Sequence, residues 1–500
     1  MELVQAKERL QALQEKLSAY YHALSLLNYD GDTAAPRATA ANRAHTMGIL
    51  NEEVYRLSTG GETVDLLEYL DENRAALSGP EQRQVELLLK EIRFVQKIPM
   101  EEYVAFERLI VEAGAVWHEA KTRSDFAAFR PYLEKIFETK RRFAGYAAPD
   151  KDPYDFWLNE NEQGLNQNIC DAFFSRLRER LVPLIRACGA KPPISDACLK
   201  GDFPVEAQER LSYYLMELMG LDLTHVGLST TEHPFTISLG SHRDVRITTH
   251  YHREDFSWSM YSVLHEGGHA LYGAGSDEKW AYTALDGGVS NGIHESQSRF
   301  YENILGRGAP FLQFLFPKLK EFFPGALDHV SWQEVYRAVN RVQPSLIRTE
   351  ADEVTYSLHV MIRYELEKAV LHGELKVADL PGEWNRMYQD ALGIDVPDDR
   401  RGVLQDSHWS FGGIGYFPSY ALGSAYGAQF LSKMREQVDV DAALSRGDFA
   451  PMNDWNRKHI WRVGQLLTPA QLLESVLGEP FDPSYYLDYL ERKCISLYGL

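Results

Sequence analysis

The stretch "VLHEGGHALYG", residues 263–273, places two histidines and a glutamate inside a helical pattern of apolar residues. On an α-helix, residues four apart lie about 40° apart around the axis and about 6 Å apart along it, so His265 and His269 share one face. Two imidazoles on one face can chelate a single metal ion, and zinc suits this arrangement best. Glu266 is then placed to take a proton from a water that the metal activates. The stretch predicts a catalytic metal site.

Two glycines lie between Glu266 and the second histidine, His269. Inside a helix, Gly267 and Gly268 each cost about 1 kcal/mol relative to alanine. We hypothesise that the missing side chains leave room for backbone or substrate beside the metal.

A catalytic zinc site normally has three protein ligands, so a third residue is needed. The segment 288–305, "GVSNGIHESQSRFYENIL", is a second helical pattern, and Glu295 lies twenty-six residues after His269. That spacing allows a turn and an antiparallel return helix, so Glu295 is the predicted ligand. His294 points about 100° away on the same helix and is expected to support the site instead. Three other candidates remain open at this point: Glu278, Asp286 and Glu302.

Composition excludes several classes of protein. The 500 residues are 44% hydrophobic and 25% charged, which is typical of a globular chain with a large core. A formal charge of −20 argues against a nucleic-acid or anionic-membrane surface. Four scattered cysteines without a CxxC pair favour a reducing compartment, and the N-terminal stretch lacks the apolar core of a signal peptide or membrane span. We therefore expect a cytoplasmic protein without membrane or nucleic-acid partners.

Helical periodicity dominates the chain, so the predicted fold is mainly α. The clearest predicted helices are 82–97, 101–121, 126–145, 168–187, 204–219, 349–372 and 481–494, besides an N-terminal leucine stripe. Residues 235–251 predict two strands around a Gly240-Ser241 turn. This small antiparallel sheet ends just before the "HEGGH" helix, where an edge strand can hold an extended peptide.

Several further motifs occur together in one order along the chain. They are "HPF" (233–235), "DVRIT" (244–248), "HESQSR" (294–299), "IRTEAD" (347–352) and "GVLQDSHWSFGGIGYFPSY" (402–420). With "HEGGH", these segments resemble the carboxypeptidase Taq family of zinc metallocarboxypeptidases over most of the chain. One departure lies near the start, where Tyr29 and Ala35 stand in place of the family's usual tryptophan and methionine.

The resemblance implies a fold and an assembly. It implies one catalytic peptidase domain over residues 1–500, in two lobes with a deep groove, similar to neurolysin and angiotensin-converting enzymes. Helices of about residues 1–145 are expected to cover the groove. The resemblance also implies a homodimer and broad-specificity removal of C-terminal residues from peptides with a free C-terminus.

The resemblance implies roles for residues outside the metal site. His408 and Tyr420 would stabilise the negative charge that develops on the scissile carbonyl oxygen, with Tyr416 as the alternative tyrosine. Arg348 would bind the substrate carboxylate, with Arg246 as the second choice. For each arginine the alternative to substrate binding is a purely structural ion pair, of Arg348 with Asp352 or of Arg246 with Asp244.

The remaining substrate contact is assigned to His233, which would hydrogen-bond the terminal peptide unit. The predicted cofactor is one Zn²⁺ per chain, bound by His265, His269 and Glu295, for which Co²⁺ could substitute. Two other functions stay open: a zinc endo-oligopeptidase of the neurolysin type, and a helical peptide-binding protein without catalysis. The presence of Glu266 argues against the last.

Overall fold

The computed structural model describes residues 2–500, and these are mainly α-helical, as the periodicity predicted. None of the described helices is both long and apolar enough to cross a membrane. The α-helices are α1 Leu3–Thr33, α2 Ala40–Thr59, α3 Gly61–Glu72, α4 Gly79–Lys97, α5 Met100–Arg123, α6 Phe126–Ala147, α7 Pro153–Asn161, α8 Gln167–Gly189, α9 Val205–Met219, α10 Ser257–Ala274, α11 Asn291–Arg299, α12 Ala309–Phe322, α13 Trp332–Val339, α14 Glu353–His372, α15 Leu380–Leu392, α16 Pro418–Met434, α17 Val440–Leu444, α18 Ala450–His459, α19 Pro469–Leu477 and α20 Ser484–Tyr498. A π-helical turn, Phe300–Leu305, continues α11.

The seven predicted helices are confirmed, and for several of them a capping side chain marks where the helix begins. Ser78 begins α4 with a reciprocal capping box to Glu81, and Asn166 caps α8 through the backbone N–H of Ile169. Asp352 caps α14, which moves the start of the predicted helix 349–372 to residue 353. Side-chain caps thus set boundaries that periodicity alone left loose.

The sheet has three strands, β1 Val226–Thr230, β2 Thr236–Ser238 and β3 Val245–Thr249, in the order β1-β3-β2. The predicted antiparallel pair is confirmed, with Thr236 opposite Ile247. The sheet as a whole is mixed and not purely antiparallel, because β1 pairs parallel with β3. Strand β1 was missed because it is short and contains Gly227, which weakens the sequence signal of a strand.

One large hydrophobic core extends along the chain from Ile98 to Cys494, and the helices before it pack in two smaller clusters. Hydrogen bonds join these early helices to the sheet region. Ser18 Oγ donates to the carbonyl of Gly240 over 2.6 Å, and the hydroxyl of Tyr29 donates to Ser229 Oγ over 2.7 Å. Tyr29 therefore anchors α1 to β1. The two lobes, and the covering of the groove by helices of residues 1–145, stay predictions.

Glycines on two neighbouring helices let α11 pack unusually close to both. A Cβ on Gly268 of α10 would lie 2.7 Å from the carbonyl oxygen of Gln297. On the other side, a Cβ on Gly423 of α16 would lie 2.5 Å from Cβ of Glu295. A Cβ on Gly267 would instead lie 2.7 Å from the Met219 side chain. The room predicted beside the metal is therefore taken by the backbone of α11 at Gly268 and by a core side chain at Gly267.

This packing predicts the effect of Gly268→Ala. The added methyl group meets backbone that cannot rotate away, so the free energy of unfolding should fall by about 1–3 kcal/mol. Chemical denaturation measures the change. The matched control is Gly114→Ala in α5, where an added Cβ has no described atom within 4 Å; it should leave stability unchanged or raise it by up to about 1 kcal/mol. Equal stability of the two variants would contradict the packing argument.

Candidate active site

Helices α10 and α11 bring the three predicted metal ligands together. Oε2 of Glu295 lies 3.8 Å from Nε2 of His265 and 3.5 Å from Nε2 of His269. Within residues 2–500, these three form the one group of histidine, cysteine and acidic side chains whose ligand atoms all lie within 4.8 Å of one another. Donor atoms around a tetrahedral zinc ion are roughly 3.3–3.5 Å apart, so this donor set fits a divalent ion of that size.

Hydrogen bonds already hold the other ring nitrogen of each histidine. Nδ1 of His265 donates to Glu302 over 2.9 Å, and Nδ1 of His269 lies 2.8 Å from Nδ1 of His294. Burial, reinforced by His269, lowers the pKa of His294 to about 3, so His294 is neutral and can accept. A proton on Nδ1 leaves the Nε2 lone pairs directed toward Glu295, which is the tautomer that metal binding requires.

The second carboxylate oxygen of Glu295 is held by an arginine. Nε of Arg299 donates to Oε1 over 2.7 Å, and the guanidinium lies 4.1 Å from the centroid of the Tyr356 ring. Burial opposes ionisation of Glu295, but Arg299 and His265 hold its pKa below the usual range. The carboxylate of this candidate ligand is therefore charged and fixed in orientation by the protein alone.

The structure places the three alternative ligands elsewhere. Glu302 contacts Nδ1 of His265, on the opposite side of the ring from Glu295. Asp286 and Glu278 contact the two ring nitrogens of His242, at 2.7 and 3.1 Å, beside the β2–β3 turn. Of the four candidates, only Glu295 joins the group formed by the two histidines.

Glu266 is buried on α10 and is held by a residue of the sheet that the sequence analysis missed. Thr236 Oγ1 donates to Oε2 of Glu266 over 2.6 Å and lies 3.0 Å from its backbone carbonyl oxygen. Thr236 belongs to β2, at the edge of the sheet. The strand and the helix thus fix this carboxylate between them.

A buried acid also holds the N-terminus of α11. The Glu162 carboxylate accepts from Ser290 Oγ over 2.6 Å and from the Gly292 N–H over 2.9 Å. Negative charge is favourable at a helix N-terminus, although burial raises the pKa of Glu162 to about 7. A side chain at Gly292 would collide with this carboxylate, at 2.9 Å. This contact positions the helix that carries Glu295.

His408 and Tyr420 lie in contact. Nε2 of His408 is 3.1 Å from the hydroxyl of Tyr420, and the rings pack edge to face. Burial lowers the pKa of His408 to about 4, so the imidazole is neutral. Tyr420 lines the cleft that contains His265, Glu266 and Glu295, whereas in the described chain neither His408 nor Tyr416 lines it.

A buried acid holds the loop before Tyr420. Both Glu367 oxygens accept hydrogen bonds, from Trp409 Nε1 over 2.8 Å and from the Gly415 N–H over 2.9 Å. The hydroxyl of Tyr154 adds a third donor, at 2.9 Å. Burial raises the pKa of Glu367 to about 7. These contacts fix the ends of the turn that follows His408.

Arg348 also lines the cleft, but its guanidinium is engaged on its inner side. Nε and one terminal nitrogen bond Oδ1 of Asp406 at 3.0 and 2.9 Å, and the other donates to the hydroxyl of Tyr356 over 3.1 Å. The predicted alternative, an ion pair of Arg348 with Asp352, is wrong, because Asp352 caps α14 instead. The true partner lies 58 residues further along the chain.

The two remaining predicted residues lie apart from each other. His233 is exposed at the cleft wall, beside β2. Arg246 of β3 forms an ion pair with Asp244, with Nε 2.7 Å from Oδ1, and in the described chain it does not line the cleft. The alternative of an ion pair with Asp244 is therefore confirmed for Arg246.

The cleft has a volume of about 750 Å³, large enough for a short peptide. Its lining joins His265 and Glu295 to Glu266, Tyr420 and Arg348 in one space. His269, the third candidate ligand, is 3.5 Å from Glu295. A candidate metal site, a buried carboxylate, a tyrosine hydroxyl and a guanidinium are the kinds of group that metal-assisted hydrolysis of a peptide bond uses.

The fold and site agree with one family of peptidases. The sequence profile described as "Carboxypeptidase Taq (M32) metallopeptidase" matches residues 9–494. The chain belongs to this family and is a metallocarboxypeptidase, which confirms the resemblance found in the sequence.

Individual relatives align along nearly the whole chain. Carboxypeptidase 1 of Bacillus subtilis is 40% identical over 492 residues, covering 98% of both chains. Thermostable carboxypeptidase 1 of Thermus thermophilus is 37% identical, covering 97% of this chain and 98% of its own. The crystal structure of an M32 carboxypeptidase from Deinococcus radiodurans superposes with a TM-score of 0.95 at 35% identity, covering 99% of this chain and 100% of its own.

The contact between His265 and Glu302 predicts the effect of Glu302→Gln on metal binding. A neutral amide is a weaker acceptor for Nδ1–H, so metal affinity should fall by about 10–100-fold. Competition with a chelator of known affinity measures the change. Glu350→Gln, which removes an exposed carboxylate from the same cleft, should leave affinity unchanged. Equal affinities for Glu302→Gln and the native protein would contradict this role for Glu302.

Proposed function

We propose that this metallocarboxypeptidase binds one zinc ion through His265, His269 and Glu295 and removes C-terminal residues from peptides, with Glu266 as general base. One observation carries the proposal: the Nε2 atoms of two histidines each lie within 3.8 Å of one charged carboxylate oxygen, and a second buried carboxylate, Glu266, lines the same cleft. The mixed nitrogen and oxygen donors favour zinc, and Co²⁺ could substitute. When bound, the ion would polarise the scissile carbonyl and make a water molecule acidic.

Glu266 would accept the proton of the attacking water and deliver it to the leaving amine. Its hydrogen bond from Thr236 supports this role, because it fixes one carboxylate oxygen and leaves the other for water. The same strand, β2, offers an edge for main-chain pairing with an extended substrate. The base and the peptide would therefore be held by one element.

Tyr420 would donate a hydrogen bond to the carbonyl oxygen as negative charge develops on it. Burial raises the pKa of Tyr420, so its hydroxyl keeps its proton as a donor. His408 would act through this hydroxyl by fixing its direction, since it lies behind Tyr420. The cleft position favours Tyr420 over Tyr416 for this task.

Arg348 would attract the substrate carboxylate at the end of the cleft, and His233 would contact the terminal peptide unit. The ion pair with Asp244 makes Arg246 the weaker choice. An arginine that is only 5% exposed is a fixed charge, which supports recognition of a carboxylate at a set distance from the metal. Broad side-chain specificity, the homodimer and a cytoplasmic location remain part of the proposal. An endo-oligopeptidase is the alternative.

Replacement of the base tests the mechanism. Glu266→Gln should lower kcat/KM by about 10²–10⁴-fold, because the amide cannot accept a proton. Metal content, measured by mass spectrometry, should stay at one ion per chain, since Glu266 lies outside the ligand group. Glu232→Gln, an exposed acid of the same cleft, should change kcat/KM little. Turnover by Glu266→Gln at the native rate would exclude Glu266 as the base.

Matched peptides with a free or an amidated C-terminus test the substrate class. The native enzyme should shorten only the free-acid peptide, one residue at a time, as followed by mass spectrometry. A chelator should abolish the activity and added zinc should restore it, because the ion supplies the electrophile. Internal cleavage of both peptides would support the endo-oligopeptidase instead.

A further inference from the structure

Arg348 shares its partner with a second, fully buried arginine. Arg363 of α14 is 0% exposed and bonds Oδ2 of Asp406 through two nitrogens, at 2.7 and 2.6 Å. Arg348 bonds only the other oxygen, Oδ1. Asp406 thus lies between two guanidinium groups, one at the cleft and one behind it.

The surroundings of Arg363 hold its guanidinium without adding negative charge. It donates to the carbonyl of His359 and to Oε1 of Gln405, each over 2.7 Å, and it lies 4.5 Å from the centroid of the Trp384 ring. Gln405 Oε1 also accepts from the N–H of Arg348, so one side chain orders both arginines. These neighbours are neutral.

Two guanidinium groups and one carboxylate leave one uncompensated positive charge. Among residues 2–500, Asp406 is the only acid within 4.0 Å of either guanidinium. The arginines hold the carboxyl group of Asp406 ionised, because they lower its pKa despite the burial that would raise it. Without Arg363, the pair at the end of the cleft would be neutral overall, and its attraction for an anion would be much weaker.

We propose that Arg363 is a specificity-determining positioning residue: it neutralises Asp406 from behind and thereby keeps Arg348 available for the carboxylate of a peptide C-terminus. The inference rests on the proposed recognition of that carboxylate by Arg348. Arg363 itself does not line the cleft in the described chain, so it acts through Asp406 and not by contact with the peptide.

The test compares free-acid and amidated peptides of the same sequence across charge variants. Arg363→Met leaves a neutral Arg348–Asp406 pair, so KM for the free-acid peptide should rise by about tenfold or more while kcat changes less. Cleavage of the amidated peptide, measured at high enzyme concentration, should stay at its native level. The double variant Arg363→Met/Asp406→Asn restores one net positive charge and should recover part of the lost preference.

Controls separate the charge from folding. Arg386→Met removes an exposed arginine of α15 and should leave the ratio of kcat/KM for the two peptides unchanged. Thermal unfolding checks that each variant is folded. If Arg363→Met does not fold, Arg363→Lys replaces it in the test. This variant keeps the positive charge, so it should keep most of the native ratio of kcat/KM for the two peptides.

The outcomes distinguish this inference from the proposed function. If the native enzyme cleaves both peptides equally well, recognition of the carboxylate fails, and the role of Arg363 fails with it. If the native enzyme discriminates and folded Arg363→Met discriminates equally, the role of Arg363 is overturned while the proposed function stands. The charge argument would be overturned if Arg363→Lys lost the preference for the free-acid peptide. It would also be overturned if the double variant recovered none of that preference.

Discussion

The close approach of α10 and α11 at Gly268 is the constraint on which the site depends. Histidines four residues apart supply two donors from one helix, but the third must come from outside that helix. Glu295 reaches both Nε2 atoms because the backbone of α11 lies where a Cβ on Gly268 would be. On its other face, Gly423 brings α16 against the same residue. The donor geometry is therefore set by helix packing and not by long, flexible side chains.

Burying charge at this packing junction is costly unless each charge is paired and hydrogen-bonded. The structure meets this condition with charges of alternating sign from α11 to just beyond its π-helical continuation. Arg299 contacts Glu295 and Glu302, and Arg307 contacts the other oxygen of Glu302. The two acids and two arginines balance before any ion is counted. Glu266 is not paired with either of these arginines, so its carboxylate is available to an added cation.

The sequence predicted the features that depend on local spacing. His265 and His269 follow from helix geometry alone, and the ion pair of Arg246 with Asp244 joins residues only two positions apart. The choice of Glu295 among four acids could be argued only from its place in a helix. Its superiority over Glu302 depends on which nitrogen of His265 each acid faces, and sequence spacing does not determine the orientation of a ring.

Long-range partners could not be predicted, because nothing in a single sequence pairs them. Asp406 is 58 residues from Arg348 and 43 from Arg363, and Thr236 is 30 from Glu266. Glu162 holds the N-terminus of α11 from 130 residues away. Each of these residues bonds a group that acts in the proposed reaction, or the helix that carries one. Local pattern predicted the candidate reacting groups, and tertiary packing supplies the residues that hold them.

The two buried charge clusters beside the cleft differ in a way that fits their proposed tasks. Around Glu295 and Glu302 the arginines match the acids, so a bound ion contributes the excess positive charge. Around Asp406 two arginines share one acid, so the protein itself contributes it. A peptide with a free C-terminus presents two electron-rich groups, a carbonyl oxygen and a carboxylate. In the proposed mechanism the carbonyl oxygen would meet the charge of the bound ion, which can be removed, and the carboxylate would meet the charge of the buried arginines, which cannot. Affinity for the carboxylate should then persist in the metal-free protein, whereas turnover should not.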